Sequence, residues 1–127
     1  MNLATLIAKR AEEGRPIRVG MIGAGKFGTM FLAQAERQRG IHIIGICDLN
    51  PEATRSNLAL ANWRSERYAA KSLDAAAKNG TTHVGDNWEA LVNHPAVEII
   101  IECTGNPMAA VTHILRAFDQ GKHVINA

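Results

Sequence analysis

The sequence predicts an α/β domain: one parallel, doubly wound sheet with helices on both faces. Three observations predict it. Short apolar runs of strand length alternate with helix-period segments along the whole chain, the pattern of parallel strands joined by right-handed crossovers. The first run ends in Gly23-Ala24-Gly25-Lys26-Phe27-Gly28, where a strand gives way to a helix. The second run ends at Asp48, twenty residues after Gly28. The expected strand order is 3-2-1-4-5.

The elements follow in order. Residues 3–13 have Leu3, Leu6, Ile7 and Ala11 on one helical face and charges on the other, and Gly14 and Pro16 stop them. This amphipathic helix forms an N-terminal segment, residues 1–15, ahead of the domain at 16–127. Its apolar face covers either this domain or another one. It has no continuous apolar core and no basic start, so it is not expected to be a signal peptide. Ile17–Ile22 is a strand buried on both faces. The next helix, 27–38, is expected to turn Phe27, Met30, Phe31 and Ala35 inward. Residues 41–48 form the second strand, in which Gly45 permits close approach.

Asn50 and Pro51 open a helix over 52–63 as N-cap and first helical residue. Residues 64–79 read as an insertion, with Ser72 capping a short helix that Gly80 ends. A weak third strand spans 81–85. Asp86 or Asn87 caps a helix over 88–93. The fourth strand, 97–103, is the most β-branched run of the chain. Pro107 starts a helix to Gln120, and residues 122–126 form the last strand.

The glycines sit where strand meets helix, the context a Rossmann-type dinucleotide fingerprint requires. Gly23 allows the tight turn, Gly25 admits a diphosphate close to the backbone, and Gly28 lets the helix pack on the sheet. Helix N–H groups and the helix dipole favour the anion. Asp48 is placed to accept hydrogen bonds from the adenosine ribose and to repel a 2′-phosphate, which favours NAD over NADP. The plainer alternative is an acid that only caps the turn before Pro51. Arg55, seven residues on, is within reach of a 2′-phosphate and argues the other way. Lys26 either neutralises phosphate charge or points to solvent.

Ligands in such sheets bind beyond the carboxyl ends of the strands where strand order reverses, here between the first and fourth strands. That brings Cys103, Thr104 and Gly105 to the nicotinamide ribose, while Asn106 with Pro107 either simply starts the next helix or also touches the cofactor. No histidine is paired with Cys103 in the sequence, so it reads as an inert thiol and not as a nucleophile. Glu102 alternates to the other face as a solvated or capping acid. His42, His83, His94, His113 and His123 are scattered without ligand spacing and read as surface or turn residues. No metal site is expected, and Trp63 and Trp88 read as packing residues.

Composition narrows the classes. With 46% hydrophobic and 20% charged residues among 127, the chain suits one globular domain. A net charge of +2 without a basic block gives no ground for nucleic acid or an anionic membrane as partner. No apolar stretch is long enough to cross a bilayer. Cys47 and Cys103 form neither a ligand pattern nor a disulfide framework, which fits a reducing, cytoplasmic setting.

At RVGMIGAGKFG, CDLNP, EIIIECTGNP and GKHVINA the chain resembles the amino-terminal NAD(P)-binding domain of homoserine dehydrogenase-like oxidoreductases. The glucose-fructose oxidoreductase-like dehydrogenases have a similar layout. The leading helix and EGRPIRVGMIGAGKFG are most like the bacterial subgroup that appends a SAF domain. The resemblance implies that Gly23, Gly25, Lys26, Phe27 and Gly28 hold the diphosphate. Asp48 would hold the ribose, and Cys103, Thr104, Gly105 and Asn106 would line the nicotinamide end. It also implies a fragment: those families continue into a substrate domain that nothing here matches.

The expected function is therefore cofactor binding for hydride transfer with a small carbonyl or alcohol substrate, with the fragment inactive alone. Some members of the subgroup are similar to deoxyxylulose-phosphate reductoisomerase and use NADPH, which is an alternative. Another class is a non-catalytic NAD-sensing regulatory domain that acts through dimerisation. The open sheet edge after the last strand is compatible with a homo-oligomer.

Overall fold

A computed structural model describes residues 2–127. Helix α1 (Leu3–Glu12) leads into strand β1 (Ile17–Ile22), helix α2 (Lys26–Ala35) and strand β2 (Ile41–Cys47). Helix α3 (Pro51–Leu60), a 3-10 turn (Ser65–Tyr68) and helix α4 (Leu73–Asn79) precede the short strand β3 (His83–Gly85). Helix α5 (Trp88–Asn93), strand β4 (Ile99–Glu102), helix α6 (Pro107–Asp119) and strand β5 (His123–Asn126) complete the chain. The five strands form one sheet in the order β3-β2-β1-β4-β5, and all pairs are parallel. This is the Rossmann-type arrangement that the alternating pattern predicts.

Alternate strand residues feed two cores, one on each face. Met21 and Ile43 join Leu32 and Ala35 of α2 and Leu58 of α3. Ile22 and Ile44 join Ala76, Leu91, Val92 and Ala117 from α4, α5 and α6 on the opposite face. A Cβ on Gly45 would stand 2.7 Å from Leu73 Cδ2 and from Leu91 Cδ1, so the glycine admits the helices of that face. The Trp63 indole is buried and donates to the Leu32 carbonyl at 3.0 Å, tying the end of α3 to α2.

The inner face of α2 differs from the expected one. Gly28, Leu32 and Ala35 are buried, Phe31 is half-buried, and Phe27 and Met30 are each 57% exposed. The cause is closeness. A Cβ on Gly28 would lie 3.0 Å from the Gly23 carbonyl oxygen, so the first turn of α2 lies too close to the glycine loop for a side chain there, and Leu32 and Ala35 carry the contact further along.

Helix α1 docks on this domain at the end of the sheet away from the strand C-termini. Arg10 holds both Glu98 oxygens at 3.0 and 3.1 Å, and the Arg18 amide donates to Glu98 Oε2 at 2.8 Å. Gly40 meets the Ile7 backbone so closely that a Cβ there would stand 2.4 Å from its carbonyl oxygen. Leu3 remains 71% exposed. No helix among the described residues is long and apolar enough to cross a membrane.

Candidate dinucleotide site

The carboxyl ends of the strands are laced together by main-chain bonds. The Gly23 amide donates to the Cys47 carbonyl at 2.7 Å and the Cys103 amide to the Ile22 carbonyl at 2.7 Å. The Asp48 amide donates to the Gly85 carbonyl at 3.0 Å. The loops after β1, β2, β3 and β4 therefore hold fixed positions around one cavity of about 430 Å³. Its volume falls within the usual range of small-molecule sites.

The three fingerprint glycines meet three different demands. Gly23 has φ +89°, and a Cβ there would stand 2.7 Å from the Cys103 carbonyl carbon, so the turn rests directly on the β4 loop. A Cβ on Gly25 would meet nothing within 4 Å, which leaves open space over the start of α2. Gly28 supplies the close helix packing described above.

The start of α2 also differs from that of every other α-helix in the described residues. Asn2, Asn50, Ser72, Asn87 and Asn106 each accept a hydrogen bond from a first-turn amide of α1, α3, α4, α5 and α6. Gly25, at the same position of α2, has no side chain to do so. The first-turn N–H groups of α2 are left for another acceptor, beside the cavity that Gly25 lines.

Asp48 is tied to that loop. Its Oδ2 accepts from the Ala24 amide at 2.7 Å and its Oδ1 from the Asn50 amide at 3.1 Å. A carboxylate has about four acceptor positions, so roughly two remain for hydroxyl donors. The capping role is thus real, and it leaves room for a ribose.

A family model described as an oxidoreductase family with an NAD-binding Rossmann fold (GFO_IDH_MocA) matches residues 17–126. The chain belongs to this oxidoreductase family. It is 29% identical over 115 residues to a homoserine dehydrogenase of Methylobacillus glycogenes, covering 89% of this chain and 25% of that protein. Two solved structures share the fold. One is myo-inositol dehydrogenase from Lactobacillus casei in complex with NAD(H) and myo-inositol (TM-score 0.65, 16% identity, 87% of this chain, 28% of that one). The other is biliverdin reductase from Synechocystis in complex with biliverdin and NADP+ (TM-score 0.58, 22% identity, 87% and 29%). The chain spans about a quarter of the length of the relatives it matches.

Of the residues singled out in this oxidoreductase-family domain, Gly23, Gly25, Asp48, Cys103, Thr104 and Asn106 line the cavity together. Gly28 is buried, Lys26 and Phe27 are exposed in the first turn of α2, and Gly105 is exposed on the loop after β4. Arg55 is not among the residues lining the cavity; it pairs with Glu52 and donates to the Val84 carbonyl at 3.1 Å. Burial, with a smaller contribution from Glu102, pushes the Cys103 thiol up to about 11, which keeps it protonated and inert at neutral pH.

Two residues depart from their expected settings. Glu102 is the capping acid of the two readings and not the solvated one, and it is buried, 1% exposed. Its Oε1 accepts from the Thr104 amide at 2.8 Å and from the Thr104 hydroxyl, and its Oε2 pairs with His113 Nδ1. His113 is not a surface residue; it is 7% exposed and lines the cavity. A buried carboxylate needs partners, and the first turn past β4 together with α6 supplies them. Trp88 also lines the cavity, with its ring centroid 4.6 Å from that of His113. Between Asp86 and Asn87, it is Asn87 that caps α5, while Asp86 faces the cavity.

Proposed function

We propose that this domain binds NAD(P), with NAD preferred, for an oxidoreductase that acts on a small carbonyl or alcohol substrate. The observation that carries the reading is the uncapped start of α2 beside an open Gly25, with the Asp48 carboxylate at the neighbouring strand end. The α2 amides would hold the diphosphate, and Asp48 would accept from the adenosine ribose and disfavour a 2′-phosphate. When bound, the nicotinamide supplies hydride chemistry. The chain's own part is positioning: Glu102 braces the Thr104 turn, and Asn106 N–H donates to the Thr104 hydroxyl at 3.2 Å.

The engagement of Arg55 with Glu52 and Val84 supports the NAD preference. The similarity to a homoserine dehydrogenase supports a substrate of that kind; membership of the SAF-domain subgroup rests on the sequence resemblance alone. Calorimetric titration of the chain with NADH and NADPH tests this. Saturable binding with NADH tighter by about tenfold or more is expected. No binding of either would refute the cofactor reading, and tighter NADPH would refute the preference.

A further inference from the structure

Glu102 and His113 form a unit that diphosphate and ribose binding do not require. Glu102 ends β4, and both its oxygens are engaged, Oε1 by Thr104 and Oε2 by His113. His113 comes from the second turn of α6, where it lies between Ala110 and Ala117 on the buried face. An apolar side chain beside Trp88 and a neutral residue at 102 would fill this space at lower cost than a buried carboxylate and its partner.

The carboxylate can only accept, so the hydrogen-bond network assigns the ring hydrogen to Nδ1. A neutral imidazole held this way carries its lone pair on Nε2. Nε2 has no protein partner among the described residues, and it is not one of the buried polar atoms sealed without a partner. It is an unpaired acceptor on a side chain that lines the cavity.

Its position in the fold says what it would meet. Asp48 holds the adenosine side at the end of β2, and the glycine loop holds the diphosphate at the end of β1. A dinucleotide laid across them reaches β4 and α6 with its nicotinamide half. We propose that His113 Nε2 accepts a hydrogen bond from a hydroxyl or amide donor of the nicotinamide–ribose half, and that Glu102 is the positioning residue that fixes the imidazole. This rests on the dinucleotide reading above.

The test compares NADH with ADP, which shares only the adenosine-diphosphate half, by calorimetry on the full chain. His113→Asn keeps an amide donor near the Nδ1 position for Glu102 and removes the second ring nitrogen. NADH should weaken about tenfold, the worth of one hydrogen bond, while ADP stays within about twofold. Glu102→Gln keeps the shape but no longer enforces the tautomer, and it should weaken NADH selectively by a smaller factor. Melting temperatures are taken for both variants, because a purely structural role would weaken the two ligands together. The proposal is overturned if His113→Asn binds NADH as the parent does, or if NADH and ADP weaken in step. If the unsubstituted chain binds neither ligand, the dinucleotide reading itself falls; if it binds both and the variants do not discriminate, only the role of His113 falls.

Discussion

Replacing Gly23 and Gly25 one at a time with alanine separates what the fold demands of the glycine loop from what a ligand demands. At Gly23 the backbone is left-handed, φ +89°, which costs an L residue about 1–2 kcal/mol. The new methyl would also stand 2.7 and 2.8 Å from the Cys103 carbonyl carbon and oxygen and 2.8 Å from the Thr104 nitrogen. Those are main-chain atoms of the neighbouring loop and cannot rotate aside, so overpacking adds about 1–3 kcal/mol. The sum, about 2–5 kcal/mol, is a large part of the ~5–15 kcal/mol that holds a domain. At about 3–5 °C per kcal/mol for this size, Gly23→Ala should lower Tm by roughly 6–25 °C. Gly25 has φ −72° and an empty surround, so Gly25→Ala should stay within about 0.5 kcal/mol of the parent. Its methyl, however, fills the space over the α2 amides, and NADH should bind at least about tenfold more weakly. Thermal melting followed by circular dichroism, and NADH titration of each variant, read the two effects apart. Undiminished NADH affinity in Gly25→Ala would refute the placement of the diphosphate, and an unchanged Tm in Gly23→Ala would refute the loop geometry.

Further outcomes follow from the same contacts. Asp48→Asn removes the charge that disfavours a 2′-phosphate, so the ratio of NADPH to NADH affinity should rise about tenfold, and an unmoved ratio would count against Asp48 as the discriminating residue. Glu102→Ala strands the Thr104 amide and His113 Nδ1 in the interior; denaturant unfolding should register a loss of about 2–5 kcal/mol. Iodoacetamide should modify Cys103 slowly near neutral pH, with a rate that climbs about tenfold per pH unit toward 11, and rapid labelling at neutral pH, read by mass spectrometry, would contradict the buried-thiol environment. Burial pushes the Glu98 carboxyl up, but the Arg18 amide and the Arg10 guanidinium outweigh it and hold it below its ordinary 4.5. The stabilisation it gives α1 is therefore complete above that ordinary value and lost as pH falls through the depressed one, so the protection factors of α1 amides, taken against intrinsic exchange at each pH, should fall in acid, and already at neutral pH in Arg10→Ala.

What the sequence made legible was whatever depends on local chemistry. Asn50 and Ser72 read as N-caps just ahead of helical runs and are seen capping, Asn87 is the one of the Asp86/Asn87 pair that does so, and Asn106 caps α6 without having been singled out for it. The strand order follows from the crossovers, and the glycine–aspartate spacing follows from the distance between two strand ends. What stayed hidden depends on how closely helices approach the sheet. Apolar periodicity points α2 inward through Phe27 and Met30, yet the sheet accepts Gly28, Leu32 and Ala35. Helix α6 repeats this: Ala110, His113 and Ala117 face inward, while Met108, Val111, Leu115 and Phe118 are each more than half exposed. Where a helix makes its closest approach, small residues form the contact, so Phe27 and Met30 of α2 and the larger apolar side chains of α6 turn outward while Leu32, further along, stays inside. His113 was concealed by the same rule. A histidine three residues after one alanine and four before another, on a stripe of small residues, is the signal that would have placed it inside. Its partner Glu102, at the end of a β-branched strand, was then the acid within reach of it.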